Sequence, residues 1–326
     1  MKFTTAVVQI MVASMLLVVA GPTVAQQPYP SKPIRLISPY APGGGNDTLA
    51  RLIGQKLTQT MGQQVIVDNR PGGNTIIATE LLARSRPDGY TLLFSGIGTF
   101  IVNALLTPTP YDIIKDFSPV APLASNENIM VLNPSVPANT LQEWIALAKQ
   151  KPGQLNYGTS SAGGVGHLHG ELFKIMAGVN IQHIPYKGSS QALADVVAGQ
   201  VQMSILSPIA TIPLIKGGKL KGIAISGDAR SPVLPQVPTF AEGGMPKFEA
   251  KATYGILAAA HTPRELVNRL ASEIAAIQRT PDFDEKLAGQ GVRPFVLTPE
   301  QFAALIKSDM ATYARIIKAA NIKFEQ

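Results

Sequence analysis

The sequence predicts an α/β protein. Short strand-like apolar runs alternate with stripes at helical spacing, and short connections join them. Two strand-to-helix junctions, at residues 39–51 and 158–166, are rich in glycine and small polar side chains. Alternation with short links argues for parallel strands covered by helices, so the chain reads as two αβ units, each opening on a polar loop.

Residues 1–25 read as a cleavable export signal. Lys2 gives a basic start, Ala6 to Ala20 is apolar, and Thr23-Val24-Ala25 is a small-residue cleavage pattern before Gln26. The apolar run is short for a membrane span, and no basic stop-transfer flank follows it. The formal charge of +7 is mild and dispersed, unlike the clustered stripe of a nucleic-acid binder. There is no cysteine, which removes disulfides and thiolate metal sites. Export without cysteine in a chain of this length fits the bacterial periplasm.

In chain order, two prolines make Tyr29 to Pro33 an extended lead-in. Ile34 to Ser38 is the opening strand. Pro39-Tyr40-Ala41-Pro42-Gly43-Gly44-Gly45-Asn46-Asp47 then turns into a helix marked by Leu49, Leu52, Ile53, Leu57 and Met61, closed by Gly62. Glycines there let backbone N–H groups converge, Asn46 or Asp47 is a natural N-cap, and the helix adds its positive end. These parts suit a small anion, but on shape alone they serve a tight packing turn equally well. Val65 to Val67 is a strand; Ile77, Leu81 and Leu82 mark a helix after the turn at residues 69–74; Tyr90 to Phe94 is a third strand. It ends in Ser95-Gly96-Ile97-Gly98-Thr99, a hydroxyl-bearing loop.

Ile129 to Leu132 is the next strand, and Thr140 with Glu143 forms a capping box before Trp144, Leu147 and Ala148. Leu155 to Tyr157 runs into the second turn, Gly158-Thr159-Ser160-Ser161-Ala162-Gly163-Gly164-Val165-Gly166, and a helix through Leu168, Leu172, Phe173 and Met176 follows. Ile181 to Pro185 is a strand, and Tyr186 to Ser190 opens a helix ending near Ala198. Val201 to Leu206 and Lys221 to Ser226 continue the alternation. The remainder holds the strand Tyr254 to Ala258 and two helices with capping boxes at Thr262–Glu265 and Thr298–Gln301.

Enzyme readings fare poorly. Ala162 breaks the G-x-S-x-G nucleophile elbow around Ser160, although His167, His169 and His183 leave a serine hydrolase as an alternative. His167 and His169 are two residues apart and cannot converge on a metal from one helix face. His167 is placed to face a cleft or cap a hydrogen bond, and His169 to lie at the surface or in packing. No dinucleotide or P-loop pattern follows the glycines. Polar loops without a nucleophile, base or metal cluster favour binding, with no cofactor and no metal.

The chain resembles the substrate-binding receptors of tripartite tricarboxylate transporters, the Bug family. The resemblance rests on Tyr29-Pro30-Ser31-Lys32-Pro33-Ile34-Arg35, Pro42-Gly43-Gly44, Asn69-Arg70-Pro71-Gly72 and Pro87-Asp88-Gly89-Tyr90-Thr91-Leu92-Leu93. Further matches are Pro152-Gly153-Gln154-Leu155-Asn156-Tyr157, His167-Leu168, Pro185-Tyr186-Lys187-Gly188, Gly199-Gln200-Val201 and Pro235-Gln236-Val237-Pro238-Thr239. It implies a two-domain periplasmic binding protein of the Venus flytrap type, each domain a mostly parallel sheet flanked by helices. It also implies a monomer that takes a small organic acid, serves membrane permease subunits and binds no nucleic acid.

The expected domains are residues 26–126 with 251–326, and residues 127–250, with the cleft between them. Carried onto this chain, the resemblance implies a site on Tyr40, Ala41, Pro42, Gly43, Gly44, Asn46 and Asp47 opposite Thr159, Ser160, Ala162, Gly164 and His167. Ser95, Thr99, Tyr186, Leu206 and Ser207 complete it. Asn46, Gly164 and Leu206 depart from the usual Ser or Thr, Thr and Asp of the family, and Gly73 to Ile77 replace a glycine-rich run. Without the Asp, an amino-acid ligand is disfavoured against one with an uncharged or aromatic distal part. A sensor of the same fold is a further reading.

Overall fold

The computed structural model describes residues 29–319, so the expected export signal at residues 1–25 lies outside the described residues. Two sheets form separate layers, each flanked by helices. The first half starts with β1 (Ile34–Ser38), α1 (Gly45–Met61) and β2 (Val65–Asn69). Leu49, Ile53, Leu57 and Met61 of α1 are buried, as their spacing requires, and Leu36 and Ile37 of β1 are fully enclosed. A 3₁₀ turn at Gly73–Thr75 leads into α2 (Ile76–Ala83). The expected stripe of α2 is partly misphased: Ala78, Thr79 and Leu82 face inward, while Ile77 and Leu81 are 50% and 39% exposed.

β3 (Thr91–Gly96) then passes directly into α3 (Ile97–Leu106). The loop expected at Ser95 to Thr99 is therefore a strand end joined to a first helical turn. β4 (Phe117–Glu127) is an eleven-residue strand that the sequence reading does not contain. Asn128 alone separates it from β5 (Ile129–Leu132), the first strand of the second half. That half continues through α4 (Leu141–Gln150), β6 (Asn156–Thr159), α5 (Val165–Ala177), β7 (Gln182–Pro185), α6 (Ser189–Val197), β8 (Met203–Leu206), α7 (Pro208–Lys216) and β9 (Lys221–Ile225). The chain returns on β10 (Lys251–Ala259) and closes with α8 (Arg264–Gln278), α9 (Pro281–Ala288), β11 (Arg293–Pro294) and α10 (Pro299–Ala319).

The six-stranded sheet has the order β11-β4-β10-β3-β1-β2, and the five-stranded sheet β7-β6-β8-β5-β9. The strand expectation of mostly parallel sheets needs correction, because both are mixed. β1 is parallel to β2 and β3, and β6 to β7 and β8. The strand that crosses from the other half enters each sheet antiparallel: β10 against β3 and β4, β5 against β8 and β9. The halves thus share one frame, β4-β10-β3-β1-β2 matching β9-β5-β8-β6-β7.

Each half has its own apolar centre. Ile37, Leu93, Phe100, Phe117, Leu257 and Phe302 pack in the first, with Phe100 edge-on to Phe117 at 5.3 Å. Met130, Trp144, Tyr157, Phe173 and Phe240 pack in the second. Full burial of side chains this large stabilises by roughly 1.5–3 kcal/mol each. Two of the three expected capping boxes form. Glu143 N–H donates to Thr140 Oγ1 at 3.1 Å, and Thr298 and Gln301 exchange bonds at 3.0 and 3.3 Å. Thr262 instead donates its hydroxyl to Ala259 O at 2.8 Å, so α8 starts at Arg264 without a side-chain cap.

Candidate functional site

The two glycine-rich turns have the same backbone. Gly43 (φ 87°) and Gly163 (φ 69°) occupy the left-handed region that side chains disfavour. Gly44 (φ −86°, ψ 171°) and Gly164 (φ −87°, ψ 174°) are the extended N-caps of α1 and α5, which corrects the expectation that Asn46 or Asp47 caps α1. Four residues beyond the left-handed glycine, a side chain folds back onto its N–H. Asp47 Oδ2 accepts from Gly43 N at 3.0 Å, and His167 Nδ1 accepts from Gly163 N at 3.2 Å. Asp47 also accepts from Asn69 Nδ2 at 2.9 Å and Arg51 Nε at 3.0 Å. Burial pushes its carboxyl up, but the bonds from Arg51, Gly43 and Asn69 outweigh this and hold it below its usual range.

Between the turns lies a cavity of about 90 Å³. α1 contributes Gly45 and Asn46, at the end where helix amide protons lack acceptors within the helix. Asn46 is 7% exposed, accepts from Ser38 Oγ at 2.9 Å, and has no protein partner for its Nδ2. α5 contributes Val165 and Gly166 from the facing side, next to Ser160. Tyr40, Thr99, Leu206, Ser207 and Tyr254 line the wall, and Gly96, Gly98, Asn128, Ser189, Ile205, Lys251, Ala252 and Thr253 complete it. No lining residue carries a carboxylate, and Lys251 is the one cation among them.

The hydroxyls are ordered by one another. Tyr40 bonds the Thr99 side chain, and burial raises its phenol to about 12, so it stays a proton donor at neutral pH. Burial raises the Tyr254 phenol, with the Ser207 side chain opposing, and Ser207 Oγ donates to Asn126 Oδ1 at 3.2 Å. Around the cavity the halves meet: Val165 N–H reaches Thr99 Oγ1 at 3.4 Å, and Ser190 Oγ reaches Pro42 O at 3.5 Å. A methyl group on Gly98 would stand 2.8 Å from Val165, and one on Gly44 2.7 Å from Ser189 Oγ.

Of the residues anticipated from sequence, Tyr40, Asn46, Thr99, Ser160, Leu206 and Ser207 line the cavity. Ala41 and Pro42 do not line it and instead meet Gly188 and Ser190. Gly43, Gly44 and Gly164 shape the turns, and Gly43 N–H is occupied by Asp47. Asp47 and His167 hold their turns from outside the cavity. Ser95 is fully buried within β3. Thr159 is buried against Ser161 O and His183, and Ala162 is exposed. Tyr186 donates to Asp195 Oδ2 at 2.6 Å. His169 is packed inside, 4% exposed. Sequence reasoning missed Ser189, whose Gly188-Ser189-Ser190 helix start has the character of the other two turns. It also missed the β10 residues Lys251 to Tyr254, which carry no motif.

Comparison with known proteins places this geometry. Residues 49–322 match the model of the tripartite tricarboxylate transporter family receptor, TctC. The chain belongs to that family. The family consists of receptors, not enzymes, which sets aside the Ser160 hydrolase reading. The receptor is 33% identical to protein BugT of Bordetella pertussis over 309 residues, 94% of each chain. An R. palustris protein solved with adipate superposes with a TM-score of 0.88 at 34% identity, over 90% of this chain and 99% of that one. MatC from Rhodopseudomonas palustris with bound malate superposes with a TM-score of 0.84 at 28% identity, over 89% of this chain and 100% of that one. These neighbours share the two-domain α/β fold. Among the described residues, no helix is long and apolar enough to cross a membrane.

Proposed function

We propose that this receptor closes on a small mono- or dicarboxylate between residues 26–126 with 251–326 on one side and residues 127–250 on the other. It then hands the acid to the membrane subunits of a tripartite tricarboxylate-type transporter. The observation that carries this is the convergence of the α1 and α5 N-termini on a cavity without a carboxylate, beside the unpartnered Asn46 amide. The adipate and malate of the neighbours support an acid ligand. Leu206 in the wall supports an uncharged distal part rather than an ammonium.

Export by residues 1–25 and a monomer in the periplasm complete the reading. Closure follows from contacts that exist only when both turns engage the ligand. A calorimetric screen of organic acids checks it: at least one mono- or dicarboxylate binds. Binding of neutral or cationic solutes alone would sink the proposal.

A further inference from the structure

We infer that His167, stacked on His183, is the positioning residue of the second turn: as a neutral imidazole it holds Gly163, while His183 holds Thr159, and Ser160 is suspended between them. The hydrogen bonds fix both tautomers. Thr159 has one hydroxyl proton and donates it to Ser161 O at 2.9 Å. The 2.6 Å contact with His183 Nε2 must then run the other way, so His183 carries its proton on Nε2. Gly163 N–H donates to His167 Nδ1, so that nitrogen is bare and the His167 proton also sits on Nε2, 3.7 Å from Glu171 Oε1.

The surroundings keep both rings neutral. Their centroids are 3.6 Å apart with planes inclined by 17°, so a charge on one opposes a charge on the other. Burial, then His183 and Lys174, pushes His167 down to about 3. Burial pushes His183 down to about 4, with Glu171 opposing and Lys174 assisting. Glu171 does not call for an imidazolium, because Lys174 contacts it at 2.8 and 2.9 Å and Tyr157 donates to it at 2.7 Å. Tyr157 from β6 also flanks the pair, with its ring 6.4 Å from His167 and 5.0 Å from His183.

A proton on His167 Nδ1 would point at the Gly163 N–H, donor against donor, and the turn would have to release. The role of Ser160 in ligand contact rests on the carboxylate reading; the tautomers do not. Long-range ¹H–¹⁵N spectra of the wild-type receptor at neutral pH are expected to show both rings protonated at Nε2. His167→Phe keeps a ring on His183 but removes the acceptor. It should speed amide exchange at Gly163 and weaken, about tenfold, the acid that the wild type binds. His167→Asn, which keeps an acceptor, should recover most of that loss. An Nδ1–H tautomer at His167, or a Phe variant with wild-type Gly163 exchange, would overturn the inference. If the wild type binds no carboxylate, the function fails while exchange and tautomer still decide this point.

Discussion

The turns at residues 42–47 and 162–167 share a backbone and differ in the side chain that closes it. In the first, a carboxylate closes the turn and gathers Arg51 and Asn69 around it. In the second, a neutral imidazole does so, stacked on another. The common requirement is an acceptor four residues beyond the left-handed glycine; its charge is free to vary. Charge decides what each turn withstands. Asp47 keeps its proton off under acid conditions that load an ordinary carboxylate, and the imidazoles are the weaker fastening as pH falls.

The largest effect should come from breaking the first turn. Asp47→Ala leaves Gly43 N–H without its acceptor. It also takes one acceptor each from Asn69, which keeps Tyr40 O, and Arg51, which keeps Asn69 Oδ1. Denaturant melts should show a loss of about 3 kcal/mol. A result below that of His167→Ala would reverse the order of the two turns. Next is the support of the second turn. A methyl on Gly170 would stand 2.1 Å from the ring of Tyr157, which is buried and tied to Glu171, so Gly170→Ala should cost about 2 kcal/mol.

The pH response follows. Because folding depresses the imidazole, the unfolded chain binds its proton first. The stability is intact above about 6.5 and drains away as pH falls toward about 3 for His167. Between pH 6 and pH 5, His167→Asn should therefore lose about 1.4 kcal/mol less than the wild type in parallel melts. A smaller change is expected for Gly98→Ala, which obstructs the approach of Val165 and crowds Tyr313 Oη: affinity for the bound acid drops about tenfold. Equal affinity in calorimetry would show that the turns need not approach so closely.

Both turns were legible in the sequence because glycine and an N-terminal helix end leave a local signature. The stripes of α1 and α5 and the boxes at Thr140 and Thr298 were legible for the same reason. β4 was not: Pro119 and Pro122 read against a strand, and the ladder tolerates them only through irregular register opposite Tyr254–Gly255 and Ile256–Leu257. The antiparallel entry of β5 and β10 is a property of distant segments and leaves no local mark. The wall from Lys251 to Tyr254 was missed likewise. Tyr186 and Ser95 have the right chemistry, but Asp195 claims one and the interior of β3 the other. Thr262 had the pattern of a cap, yet its hydroxyl turned back to Ala259.

The order in which the strands leave the ribosome bears on how the chain folds. The five-stranded sheet is made from one contiguous stretch, residues 129–225, and can complete itself as soon as that stretch is available. The six-stranded sheet cannot, because its β3 and β4 are joined only by β10, which is synthesised long after both. Until then two strand edges stand open, the pairing is distant in sequence, and closure is slow. A chain that ends before Lys251 would carry a finished second half attached to a sheet with its centre missing, and those bare edges would make it prone to aggregate.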